Sequence, residues 1–438
     1  MKNIQKSIVL IIAISLLSCN SSTKTSIEIS KSEIAKYESI FNDLQKYLTK
    51  ENGNLWNHQL YGPILLVNQE NRIIIANDKD EKGILSKQGQ LYVGILPDKI
   101  NISNTALNWN GKRWTMVMLP LPKNYNERLN LLTHELFHRI QPKVGFTNLH
   151  RTNCDHLDKL YGRIYLKLEL EALKKALASK DEVIQKEHIK NALLFRIYRQ
   201  QLFPKAKENE NLLELNEGLA EYTGTILSGR NDKNLREHYS QAIDVLFTNP
   251  TFVRSFAYRT IPVYGYFMKQ KDENWNKKID ENSNLSDFMT AFYNISLPEN
   301  LKGVITQVQN EYNYDSIAKE ETERAQKQKE LIAKLDDKFQ NNPIFTVPFQ
   351  HMNITFNPGN LIPYKNFGTV YPNLRITDDW GILKVEKGAL LDKNWKAVIV
   401  SRPTKITDKL IEGEGWKLEL NKNWTVVKIE KNYTLKKK

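Results

Sequence analysis

Residues 134–138 read His-Glu-Leu-Phe-His, and this run restricts the fold more than any other stretch of the chain. On an α-helix, side chains four residues apart lie side by side, so His134 and His138 share a face only if the segment is helical. The flanking residues agree with a helix. Leu129, Leu132, Leu136 and Ile140 form an apolar stripe, Asn124 or Asn126 can cap the start, and Pro142 stops the end. Two imidazoles so placed fill two tetrahedral positions of one Zn²⁺, with Glu135 turned toward the open coordination position. With eight His in 438 residues, chance gives such a match in roughly one chain per hundred, so the context has to decide.

The chain is long enough for two or three domains, and its patterning predicts an α+β fold in three parts. Residues 31–122 read as a helix followed by antiparallel strands. Ile34, Tyr37, Phe41, Leu44 and Leu48 step at helical spacing, 62–67 and 72–76 form a hairpin, and 91–96 and 113–119 are further strands. Residues 123–314 read as a helical core that bears the zinc site, with helices near 157–177, 182–202, 211–228, 235–247 and 262–271. The stretch 315–342 is charged nearly all round and predicts a solvated connecting helix. Residues 343–438 alternate in short runs with turn signals at 357–360 and 412–415, predicting a small all-β domain.

Lys and Arg number 63 against 50 Asp and Glu, a net charge of +13 spread along the whole chain. No aromatic-basic stripe or finger pattern accompanies it, so nucleic acid is not expected as a partner. Anionic envelope polymers suit the charge. At the start, Lys2 and Lys6 precede an apolar run over 8–17 that is too short to span a bilayer and reads as a signal peptide, residues 1–18. Leu16-Leu17-Ser18-Cys19 resembles the bacterial lipobox. That resemblance implies cleavage before Cys19, a lipid on its thiol, a polar tether over 19–30, and a location in the bacterial cell envelope, membrane-anchored through Cys19. Only Cys154 would remain, which excludes an internal disulfide.

A zinc site needs a third protein ligand. Residues 213–224 read Leu-Glu-Leu-Asn-Glu-Gly-Leu-Ala-Glu-Tyr-Thr-Gly, which puts Glu217 and Glu221 on one face of an apolar helix. Carboxylates there are costly unless paired or metal-bound. Glu214, Glu169 and Glu171 are rival ligands. His-Glu-x-x-His followed by Asn-Glu-Gly-x-Ala-x-Tyr resembles the gluzincin metallopeptidases, and a zincin-like core follows from that resemblance. It implies Glu217 as third ligand and Glu221 as the acid that orients a zinc-bound His. Seventy-eight residues lie between His138 and Glu217, so the helices over 157–202 form an insertion between the ligand helices. Segments around 153–163, 194–196, 256–265 and 371–381 are similar to a group of bacterial exported proteins sharing this motif.

The resemblance further implies a zinc-dependent peptidase acting on a peptide or protein substrate, with Glu135 as general base. A Tyr beyond the third ligand would steady the transition state, Tyr264 first and Tyr258 second. In zincins an edge strand before the zinc helix pairs with an extended substrate, and the strand at 113–119 stands in that place; whether its edge is free is left to the tertiary structure. His156 and Asp158 are expected to cap the helix that follows them, while Cys154 packs. Arg163 has a structural or carboxylate-pairing role. Trp380, Trp395, Trp416 and Trp424 are expected in the core of the β domain, with an envelope-polymer contact through that domain as the other reading. Two alternatives stand beside the peptidase: a zinc amidase acting on peptidoglycan, and a non-catalytic zinc lipoprotein that binds envelope polymer.

Overall fold

A computed structural model describes residues 27–97, 100–149, 152, 154–356 and 361–438; Cys19, the leader and the 357–360 turn lie outside the described residues. By internal packing the chain divides into two units, one up to Asn313 and one from Tyr314 to Lys438. Among the described residues, no helix is long and apolar enough to cross a membrane.

The first unit opens with α1 (Lys31–Glu51), where Ser30 and Glu33 cap the first turn reciprocally and Tyr37, Phe41, Leu44 and Leu48 are buried. Six strands follow: β1 (Ile64–Asn68), β2 (Ile73–Ala76), β3 (Ser86–Gln88), β4 (Leu91–Ile95), β5 (Thr105–Trp109) and β6 (Lys112–Leu119). They form one sheet in the order β3-β4-β2-β1-β6-β5. The β1–β2 hairpin pairs Leu66 with Ile75, as the two apolar runs on either side of 68–71 predict. Leu65, Val67, Ile74, Trp114 and Met116 gather in one apolar cluster.

One feature of this sheet differs from expectation, and another answers a point that the sequence leaves open. It is mixed rather than antiparallel, because β1 and β6 run parallel, with Leu66 beside Val117. No tight turn joins these two strands, so nothing local fixes their relative direction. The strand carrying Arg113, whose edge the sequence leaves open, is not at the end of the sheet. β5 takes that place, joined to β6 by an Asn110-Gly111 turn in which both residues have positive φ (46° and 88°). The short, weakly alternating Thr105–Trp109 run gives little strand signal by itself.

Among the described residues, nine α-helices of this unit follow the sheet: α2 (Tyr125–Ile140), α3 (Leu160–Ala178), α4 (Glu182–Leu202), α5 (Ala206–Leu213), α6 (Leu219–Ile226), α7 (Asp232–Phe247), α8 (Ala257–Lys271), α9 (Leu285–Phe292) and α10 (Leu301–Val308). A π turn, Glu214–Gly218, links α5 to α6. His156 and Asp158 do not cap α3, whose N-cap is Lys159 and which has no side-chain cap. Their side chains are drawn into tertiary contacts instead: His156 Nε2 lies 2.7 Å from Glu210, and Asp158 accepts from the Thr251 hydroxyl and the Phe252 N–H. Cys154 is fully buried, as expected.

The helices between the two halves of the site are tied by a buried ionic cluster. Arg199 donates to Glu210 through Nε and Nη2, both at 2.9 Å, and to Glu169 at 2.6 Å. Arg196 donates to Glu169 at 3.0 Å and also to Glu214, and all five side chains are fully buried. Each charge here is affordable only because its partners remain. Arg199→Met is therefore expected to destabilise the chain by about 3–5 kcal/mol, read from the denaturant midpoint.

The second unit begins with α11 (Tyr314–Asp336), which buries only Ile317, Glu321 and Leu335. Leu335 and the following Phe339 pack with Tyr364, Val370 and Leu390. A seven-stranded and a six-stranded sheet then share one core that includes Trp380, Trp416 and Trp424. Trp395 departs from the expected packing and is 45% exposed.

Candidate metal centre

β6 leads directly into α2, and Asn124 caps the helix by accepting the Glu127 N–H at 3.1 Å. Leu129, Leu132, Leu136, Phe137 and Ile140 bury one side of α2. At its far end Arg113 donates from β6 to the carbonyls of Arg139 (3.0 Å) and His138 (3.4 Å), a cation placed where the helix dipole favours one. His134 and Glu135 are thereby held buried, and His138 half-buried.

The second half of the site depends on close helix contact. A Cβ on Gly224 would sit 2.5 Å from Asn130 Oδ1, and one on Gly218 would sit 2.9 Å from Ile261 Cβ, so glycine lets this segment approach α2 and α8. In the π turn the Leu219 N–H bonds to the Glu214 carbonyl, five residues back. Such a turn spreads more residues over each revolution, so Glu214 and Glu217 do not share a face as they would nearly do in an α-helix. Glu217 points to the histidines. Glu214 points away, to Arg196 and Thr260.

The three donors fit one ion. His134 Nδ1 donates to Glu221 at 2.8 Å and His138 Nδ1 to Gln141 at 2.7 Å, which leaves both Nε2 atoms for the centre. Those atoms are 3.1 Å apart, and Glu217 Oε2 lies 3.8 Å and 3.5 Å from them. A tetrahedral ion with bonds of about 2.0–2.1 Å sets its ligand atoms about 3.3 Å apart. Among the described residues, His134, His138 and Glu217 are the group whose donor atoms converge this way.

Electrostatics point the same way. Burial disfavours charge on His134, but the Glu217 and Glu221 carboxylates outweigh it and lift its pKa to about 10. Burial also opposes charge on Glu217, yet His134, His138 and Tyr258 hold it well below the usual carboxylate range. Three carboxylates around two imidazoles favour positive charge at the centre, which a divalent cation supplies. Glu135 stands apart. Burial raises its pKa against the pull of both histidines, and its Oε2 is buried without a hydrogen-bond partner.

Tyr258, not Tyr264, stands at the site. Its ring stacks on His134 with centroids 5.6 Å apart, and its hydroxyl donates to Glu217 Oε2 at 2.5 Å. Tyr264 is fully buried and donates to Glu169 at 3.1 Å within the ionic cluster. The two tyrosines are six residues apart on α8, which turns them about 120° from each other. The rival acids are spoken for as well: Glu169 by Arg196 and Arg199, and Glu171 by Lys174. Arg163 pairs with Asp158 and lies over the Phe252 ring, its structural role. A cleft of about 730 Å³ opens over the three donors, lined also by Thr105, Ala106, Asn130, Asn216, Arg254 and Tyr258.

No protein-family model, curated protein or solved structure matches this chain. The site stands on its own geometry. Two of its supports were not read from the sequence, although the helical period contained a signal for both. Gln141 follows His138 by three residues, and Asn130 precedes His134 by four and donates to Glu221 at 3.2 Å. Gln141 also donates to the Asn216 carbonyl at 2.8 Å, linking α2 to the π turn. Glu221→Gln keeps an acceptor for His134 but removes its charge. It is expected to weaken divalent-metal affinity about 10–100-fold, measured by competition with a chelating dye.

Proposed function

We propose that this chain is a zinc-dependent peptidase of the gluzincin type, held at the bacterial cell envelope by a lipid on Cys19. Two imidazoles, which a bound cation would hold neutral in place of a proton, and one carboxylate, with room for a fourth ligand, match the donor chemistry of catalytic zinc. When bound, zinc supplies an acidified water and an electrophile for a carbonyl oxygen.

The chain's own residues do the rest. Glu135, whose Oε1 is 4.0 Å from His134 Nε2, accepts the water's proton and passes it to the departing amine, a task that its burial-raised pKa favours. Glu221 and Gln141 hold the two rings in orientation through their Nδ1 atoms. The Tyr258 hydroxyl, held on Glu217 at the cleft, is a donor for the negative charge that develops on the substrate oxygen. β5 ends the sheet order, and its Thr105 and Ala106 line the cleft, so an extended peptide can add to it as a further strand.

The observation that carries the reading is Glu135: a carboxylate that lines the open cleft beside the three donors, its Oε1 4.0 Å from His134 Nε2, without being one of them. A structural metal site has no use for it, which weighs against a purely binding role. Digestion of a proteome-derived peptide library by the zinc-loaded full chain tests the proposal. Cleavage that stops with chelator and returns with zinc is expected. An uncut library, with zinc bound, would reject peptidase activity and leave the amidase alternative.

A further inference from the structure

The geometry points to a saccharide-binding subsite in the second unit, where the pyranose ring of an oligosaccharide stacks on Trp395. This assigns the envelope-polymer contact to one place and is independent of the metal centre. Trp395 sits in the turn between the strands Ala389–Asp392 and Ala397–Ser401. Its backbone has φ 54°, a conformation that turns ordinarily give to Gly or Asn. Asp392 enforces the turn by accepting the N–H groups of Asn394 (3.1 Å), Lys396 (2.6 Å) and Ala397 (2.7 Å). A bulky aromatic is thus placed at a strained position, and burial does not repay it, since the side chain is 45% exposed.

What surrounds the ring suits a sugar. The neighbouring turn between Ile362–Tyr364 and Gly368–Tyr371 is tied to this one by the Lys393 N–H, which donates to the Phe367 carbonyl at 3.2 Å. Between the turns lies a depression of about 240 Å³ that Trp395 lines with Tyr371, Asn366, Thr369 and Lys393. That is below the ~300 Å³ of pockets for drug-sized ligands and suits a single ring. Tyr371 meets Trp395 edge-on, at 87° and 6.4 Å between centroids. Lys365 is neutralised by Asp336 at 2.5 Å and 2.6 Å, and the depression is lined by one acid, Asp392, as well as by the cation Lys393, so a charged ligand gains little here. The Asn366 amide, the Thr369 hydroxyl and the Lys393 ammonium make no side-chain hydrogen bond among the described residues. A flat apolar face beside several unused donors matches a pyranose, whose C–H face stacks while its hydroxyls bond outward.

The test titrates the purified full chain with cellohexaose, chitohexaose and maltohexaose, by calorimetry and intrinsic tryptophan fluorescence. At least one is expected to bind, with little dependence on salt, and Trp395→Asn is expected to lower that affinity about tenfold or more. Asn accepts positive φ readily, so the same variant should melt no lower than the wild type. Equal binding by Trp395→Asn, or no binding of any of the three sugars at millimolar concentration, would overturn the proposal. So would a lower melting temperature in the variant, since it would assign Trp395 to packing.

Discussion

Glu135→Gln is expected to retain zinc and lose turnover by about 10²–10⁴-fold. The amide has the shape of the acid but cannot take a proton, so the water is no longer activated and the leaving amine receives none. Glu135 is outside the donor set, its Oε1 lying 4.0 Å from His134 Nε2, so metal content should not change. Library digestion with equal zinc loading checks this. Undiminished cleavage by the variant would remove Glu135 from the chemistry, and loss of zinc would mean that it holds the metal instead.

Glu217→Ala is expected to empty the site. It removes one of three donors and leaves two imidazoles that cannot fix the ion alone. The loss of affinity should exceed the roughly 10–100-fold cost of losing an outer partner. Metal analysis after dialysis reads it directly. A thermal readout is independent of activity: zinc at 100 times its Kd should stabilise the wild type by about 2.7 kcal/mol and leave the variant's melting unchanged. Glu214→Gln is the control, since Glu214 faces Arg196 and Thr260 and should not alter zinc content. If Glu217→Ala stayed loaded while Glu214→Gln came out empty, the ligand assignment would be reversed.

Much of the site was legible because its parts are local. The stripe from Leu129 to Ile140 made α2 a helix, and four-residue spacing then paired His134 with His138 and Glu217 with Glu221. The β1–β2 hairpin was legible for the same reason, since two apolar runs and the short turn between them act between neighbours. Misreadings fell where distant segments decide. The six residues between Tyr258 and Tyr264 rotate one toward the cleft and the other toward the ionic cluster, and nothing in the spacing says which way α8 faces. His156 and Asp158 read as caps because their sequence neighbours allowed it, while Glu210 and Thr251 drew them away. Trp395 read as core because Trp in a strand domain packs well, yet it falls on a turn that Asp392 holds outward.

The sequence by itself determined the imidazole pair, the carboxylate beside it and the α+β character, because helical and strand periods are properties of a few consecutive residues. Only the tertiary structure decided which acid crosses seventy-eight residues to meet the histidines, and which strand of the sheet lines the cleft. Those choices depend on helix contact through Gly218 and Gly224, on the π turn that separates Glu217 from Glu214, and on the position of β5 at the edge. Each is set by packing between segments far apart in the chain, which no local pattern encodes.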